Sequence, residues 1–265
     1  MADESAVDDL LALAQRRHPY LELLSTTPKH KRDVIDALGD SRSTVDRAIE
    51  ALADAALVTR TDDGAWTTTT SGDVLLETVA ETRETVGTVT AAAGLLEYLP
   101  CAERVPPALF RDATVDVADG PTPLSIAARV RETVADATAI CGFAAADHGT
   151  GVKEDIFEST LGDDSFSFDY VFDEALVEGL LAGDEVPWSD LLEAPNARAA
   201  VFDGLPFGLL LTDHDDGQRL TLVVYDDQRV VRGQIVTANP EAVAWGADVF
   251  ERYRTRATPL AAWLE

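Results

Sequence analysis

The stretch SRSTVDRAIEALADA, residues 41–55, constrains the fold of this chain more than any other. Val45, Ala48, Ile49 and Leu52 recur there at i, i+3, i+4 and i+7, which makes one apolar stripe on a helix that must be buried against something. Ser43, Arg47, Glu50 and Asp54 fall opposite the stripe, and Arg42 and Thr44 occupy the exposed first turn. Ser41 is a good N-cap, and Gly39-Asp40 before it makes a tight turn. Upstream, Thr27 is expected to cap a helix with Pro28 at its first position, running through KHKRDVIDAL with Val34, Ile35 and Leu38 pointing inward. Two more helical stretches precede it, Ala6 to Gln15 and Pro19 to Ser25.

Downstream, Leu57-Val58-Thr59-Arg60 reads as a strand, Asp62-Asp63-Gly64 as a hairpin turn and Trp66 to Thr69 as the returning strand. Helix, helix, turn, helix and two-stranded ribbon follow in the order of a winged helix-turn-helix. The Ala55-Ala56-Leu57-Val58 step out of the second helix, followed by Thr70-Ser71-Gly72, resembles the LxxxGLV…G…LTxxG cadence of that family over about 70 residues. The resemblance implies double-stranded DNA as partner. Arg42, Ser43 and Thr44 would then enter a major groove, with Arg47 one turn further along. Lys29, Lys31 and Arg32 at the start of the preceding helix are expected to meet backbone phosphates, and Arg60 in the wing a neighbouring groove or backbone. The competing reading is a winged helix reused as a protein-interaction module.

Charge distinguishes these readings. The 265 residues hold 48 acidic against 21 basic side chains, a net charge of −27, which taken whole argues against a nucleic-acid partner. Residues 16–60 nevertheless hold eight basic groups (Arg16, Arg17, Lys29, Lys31, Arg32, Arg42, Arg47, Arg60) against seven acidic ones. The excess acid therefore lies elsewhere, and this window has stayed near neutral. Lys occurs only at positions 29, 31 and 153, the other basic residues being Arg, and Asp outnumbers Glu. Such a composition resembles that of proteins from extreme halophiles, in which hydrated carboxylates keep a surface soluble while molar salt screens charge over about 3 Å.

Residues 73 to about 97 read as a long linking helix with Val74, Leu75, Val79, Val86 and Val89 at helical spacing, suited either to pairing with its copy in a homodimer or to packing on its own domain. Pro100 and Pro106-Pro107 mark a boundary. Beyond it strands are expected at Ala113 to Val117, Ala139 to Ala144, Arg198 to Val201, Leu205 to Thr212, Leu220 to Tyr225 and Val230 to Val236. Helices are expected at Ser125 to Ala135, around 151–160 and 173–181, and at Pro240 to Tyr253, with Phe166 to Phe172 as an extended link and Pro121-Thr122-Pro123 as a loop. This alternation implies an α/β domain. The organisation expected is a DNA-binding winged helix over 1–72, a linking or dimerisation helix over 73–99 and an α/β effector or dimerisation domain over 100–265.

No phosphate-loop, dinucleotide, nucleophile-elbow or zinc-protease motif occurs. Four histidines (His18, His30, His148, His214) are scattered, and His214 in its acidic turn reads as a solvated loop residue. Asp213-His214 has no nucleophile nearby, and Cys101 and Cys141 flank no CxxC pair. No catalytic residue, metal or cofactor is therefore expected. No apolar run approaches the roughly 20 residues needed to cross a bilayer, and the N-terminus is acidic, so a cytoplasmic protein without membrane association is expected.

The segments VFDGLPFGLLLTD (201–213), VVRG (230–233), NPEAVAWG (239–246) and FERYR (250–254) resemble the effector domain of haloarchaeal helix-turn-helix regulators and of the methanogenesis regulatory protein middle-domain family. They also resemble the noncatalytic phospholipase-D-like sensor domains of TrmB regulators. No Lys stands two residues after His214, so the hydrolase's HxK signature is missing, and the resemblance implies the phospholipase-D-like fold without its phosphodiesterase activity. It further implies a transcription regulator whose C-terminal domain binds a small-molecule effector. A ligand-free dimerisation or protein-interaction module is the alternative.

Overall fold

The computed structural model describes residues 3–100, 104–118, 124–147, 152–163, 165–183 and 186–265. Cys101, His148 and the Pro121-Thr122-Pro123 loop lie outside these residues. The chain divides into two units, Met1–Glu84 and Thr85–Glu265.

The first unit is built from α1 (Glu4–Arg16), α2 (His18–Thr26), α3 (Lys31–Leu38), α4 (Arg42–Asp54), the antiparallel ribbon β1 (Val58–Arg60) and β2 (Trp66–Thr68), and the start of α5 (Thr70–Leu96). The α4 stripe behaves as its periodicity requires: Val45, Ala48, Ile49 and Leu52 are fully buried, packed with Leu21, Leu24, Val34 and Leu57. Gly39 takes the left-handed conformation (φ 69°) that closes α3, its N–H donating to the Ile35 carbonyl at 2.9 Å. Ser41 then caps α4 by accepting from the Thr44 N–H at 3.2 Å.

One expected boundary is corrected. Thr27 and Pro28 do not open α3, because Thr27, constrained by the proline after it, is extended (φ −158°, ψ 147°). Lys29 instead forms a bridge to the wing, its N–H donating to the Trp66 carbonyl at 2.9 Å and its carbonyl accepting from the Trp66 N–H at 2.8 Å. The helix begins two residues later, where the Asp33 carboxylate accepts the His30 N–H at 3.1 Å.

Two positions of the cadence have clear physical roles. A Cβ on Gly72 would lie 2.0 Å from the Leu57 carbonyl oxygen, so only glycine lets α5 start against the backbone that leads into β1. Ala56, which stands where the cadence has its first glycine, holds φ 56°.

The second unit centres on an eight-stranded mixed sheet in the order β10-β6-β5-β4-β7-β8-β9-β3. In chain order its strands are β3 (Ala113–Val117), β4 (Ala139–Ala144), β5 (Ser167–Asp173), β6 (Ala197–Phe202), β7 (Gly208–His214), β8 (Gly217–Tyr225), β9 (Val231–Thr237) and β10 (Thr258–Pro259). β4, β5 and β6 run parallel, joined through α7 (Val152–Gly162) and through α8 (Glu174–Gly183) and α9 (Trp188–Glu193), while β7, β8, β9 and β3 form an antiparallel run. α6 (Leu124–Ala135) precedes β4, and α10 (Pro240–Arg254) and α11 (Leu260–Trp263) close the chain.

Helices cover both faces. On one, α10 places Gly246 against Leu220 and Leu211 and Tyr253 against Phe143, and the Arg254 Nε reaches Asp169 Oδ1 at 2.7 Å. On the other, α6, α7 and α8 lie over the opposite side chains of the strands. Phe166 to Phe172 is a correction: these residues supply an inner strand whose Phe168, Tyr170 and Phe172 form a row of ring contacts, not a link. His214 is a second one. It ends β7 half-buried, with Nε2 2.9 Å from Thr212 Oγ1. No helix among the described residues is long and apolar enough to cross a membrane.

Candidate nucleic-acid interface

The residues singled out by the sequence lie on three elements of the first unit. Arg42, Ser43, Thr44 and Arg47 are on the first turns of α4, Lys31 and Arg32 open α3, and Lys29 and Arg60 belong to the wing. Arg42 is 88% exposed and Arg32 90%, each at about 4 Å from the carboxylate one helical turn on, Asp46 and Asp36. Pairs this long and wet leave both guanidiniums available to another partner. Ser43 and Arg47 are exposed as well, the Arg47 Nε donating to the Ser43 carbonyl at 3.1 Å. Thr44 is half-buried, and its Oγ1 lies 2.8 Å from Ser41 Oγ, so its hydroxyl serves the cap first.

Asp46 organises this surface and was not among the residues the sequence pointed to. Its Oδ1 accepts from Lys31 Nζ at 2.7 Å while its Oδ2 lies 3.9 Å from Arg42 Nε, so one carboxylate ties the start of α3 to the start of α4. The hydrogen bond from Lys31, with the charges of Lys31 and Arg42, holds the Asp46 carboxyl below its usual range. The Lys31 ammonium also stands 5.9 Å over the Trp66 ring. Lys31 is thus fixed between helix and wing. The Arg42–Asp46 spacing of four was legible as a helical pair, but the Lys31–Asp46 contact joins residues 15 apart and left no local signal.

At the wing tip the Thr61 N–H donates to the Ala65 carbonyl at 2.8 Å, and the Thr61 hydroxyl donates to Asp63, which holds that carboxyl below its usual range. Arg60 folds back over the tip, its Nε donating to the Gly64 carbonyl at 3.3 Å. The turn between α3 and α4 is pinned from α2: the buried Tyr20 hydroxyl donates to Asp40, and burial together with that bond pushes the Tyr20 phenol up to about 12.

In the second unit Asp213 and His214 do not converge. Adjacent on β7, they point to opposite faces, and the Asp213 carboxylate accepts from Gln218 Nε2 at 2.6 Å. A pocket beside β5, lined by Phe157, Phe168, Tyr170 and Phe172, encloses only about 50 Å³ and is apolar.

A helix-turn-helix with a bridged wing, followed in the chain by an α/β unit, defines the class of winged-helix transcription regulators with an appended domain. The chain belongs to the family of the methanogenesis regulatory protein FilR1, whose middle-domain model matches residues 123–256. The HVO_A0261 N-terminal domain model matches residues 5–91. No curated protein matches the chain. Solved structures similar to it include TrmBL2, described as an archaeal chromatin protein with a novel mode of DNA binding, at 13% identity over 84% of each chain (TM-score 0.45). NucT from Helicobacter pylori is similar over 56% of this chain and 98% of its own, at 9% identity and a TM-score of 0.41.

Proposed function

We propose that this protein is a sequence-specific, double-stranded DNA-binding transcription regulator that acts in the cytoplasm as a homodimer. Its domains are a winged helix over 1–72, a linking helix over 73–99 that pairs with its copy, and a noncatalytic phospholipase-D-like effector domain over 100–265. The observation that carries the reading is the exposed first half of α4. Arg42, Ser43 and Arg47 stand free of the apolar stripe beneath them, in a window of the chain kept near neutral. A helix so presented fits a major groove, where Arg reads guanine bidentately. Lys29, Lys31, Arg32 and Arg60 then serve the phosphate backbone, and Thr44 contributes chiefly by ordering the cap.

In a dimer the exposed Val86 and Val89 of α5, one turn apart, would find a partner surface. An effector in the C-terminal domain would alter the spacing or mobility of the two heads and so the affinity for a paired site. The acidic composition fits a haloarchaeal cytoplasm. Footprinting in molar KCl over promoter fragments, the protein's own included, tests the reading: protected paired half-sites are expected, and the absence of a footprint at every promoter overturns it.

A further inference from the structure

α1 carries an apolar stripe that most of its own length leaves uncovered. Val7, Leu10, Leu11 and Ala14 recur at i, i+3, i+4 and i+7, the spacing that buries one face of α4, yet of these four only Ala14 reaches the core. Every residue from Glu4 to Ala12 is exposed, Val7 to 51%, Leu10 to 36% and Leu11 to 38%. A helical segment this short is marginal in water unless one of its faces is packed, because nucleating a helix costs more than the first turns return. The stripe calls for a cover.

Beside it lies a groove of about 470 Å³, lined by Leu10 itself, by Ala55 and Leu57 where the chain leaves α4, and by Val74 and Leu75 on the first turns of α5. Val74 is 60% exposed, so this apolar wall is open as well. A ridge and a groove thus adjoin on one surface and share Leu10. An isologous contact needs that arrangement, since a two-fold axis brings the ridge of each copy to the groove of the other. Contiguous exposed apolar surface of this kind marks an interaction site, where single exposed residues do not.

Charge supplies the direction. Glu4, Asp8 and Asp9 lie in the N-terminal half of α1, and Arg16 and Arg17 at its C-terminal end. A copy laid antiparallel along the stripe sets acid against base at both ends and opposes the two helix dipoles, whereas a parallel copy sets like against like. The three carboxylates also disfavour a phosphate backbone as the occupant. We infer that α1 is a dimerisation element, its stripe pairing antiparallel with that of a second copy and seating Val7 and Leu11 against that copy's groove. The inference rests on the homodimer reading and adds α1 to the linking helix as a surface between copies. Ala14 and the α4 stripe share one core, so the contact would hold the two recognition helices in a fixed relation.

The test uses the full chain in molar KCl. Sedimentation equilibrium is expected to show a dimer, and Val7→Asp and Leu11→Asp, at positions exposed in one copy, should each weaken it tenfold or more with the circular dichroism of the folded chain retained. Leu192→Asp, at a leucine of the second unit that is 41% exposed, should leave it unchanged. Oxidative cross-linking reads the direction in a chain carrying Cys101→Ala and Cys141→Ala. Leu10→Cys, at the centre of the stripe, should join two copies, and Glu4→Cys should not, because antiparallel pairing sends its two copies to opposite ends. A monomeric wild-type chain, a dimer indifferent to both aspartate variants, or cross-linking at position 4 in place of position 10 overturns the inference. The failures are distinguishable: a dimer that ignores Val7→Asp and Leu11→Asp sinks this contact and leaves pairing through α5, a monomer sinks the homodimer reading too, and a dimer of the expected kind without a footprint at any promoter sinks the regulatory reading alone.

Discussion

Single residues carry much of the first unit's geometry. Ala56 holds a left-handed backbone, which costs an L-residue about 1–2 kcal/mol, part of which glycine gives back through its greater freedom when unfolded. Ala56→Gly is therefore expected to raise unfolding stability by about 0.5–1 kcal/mol in a denaturant titration. Gly72 is the converse case, since a Cβ there meets the Leu57 carbonyl at 2.0 Å. Gly72→Ala should cost about 1–3 kcal/mol, as overpacking against rigid backbone does, and lower the melting temperature accordingly. Tyr20 makes a pH prediction. Its phenol titrates near 10 when unfolded and about 12 when folded, so the folded state retains a proton that the unfolded state loses. Stability is expected to fall as pH rises from about 10 towards 12, and Tyr20→Phe should remove that part of the slope. Asp46 works in the opposite direction. Its lowered carboxyl contributes above the unfolded value near 3.8, and the contribution is lost as pH falls through the folded one.

At the scale of elements, α4 was legible because its burial is one-sided, and a period of 3.6 records one-sided burial directly. The start of α3 was not, since it depends on Lys29 pairing with Trp66, 37 positions away, and nothing in TPKHKR announces that bridge. β5 looks like a link in the sequence because a strand covered on both faces loses the alternation that marks a half-exposed one. α9, β10 and α11 are too short to show a period at all. The residues proposed to face DNA stand out by type and spacing, but the ion pairing among them does not, because it passes through Asp46. Gel-shift titrations test the roles proposed for them. Arg42→Ala and Arg47→Ala are expected to weaken specific binding by about 1–3 kcal/mol each and to relax specificity at one base position. Lys31→Ala and Asp46→Ala should be non-additive, the double variant resembling Lys31→Ala, because either change alone unties the same link between α3 and α4.

For the whole molecule, the net charge of −27 stands beside a window, residues 16–60, in which eight basic and seven acidic groups nearly cancel. In dilute buffer each phosphate contact adds a slope of about −0.9 to the salt dependence of binding, but counterion release gives little drive when bulk salt is already molar. An interface working there leans on base edges, shape and burial. Binding measured across a KCl series is expected to persist into the molar range, and a steep monotonic loss would contradict that design. The scarcity of lysine has a chemical consequence. Two of the three lysines, Lys29 and Lys31, stand at the wing and at α3, and the third, Lys153, has a side chain only 16% exposed. An amine-selective acylating reagent therefore meets most of its side-chain targets on one small surface. Its reaction rate becomes a built-in gauge of whether that surface is covered, without any label having to be introduced.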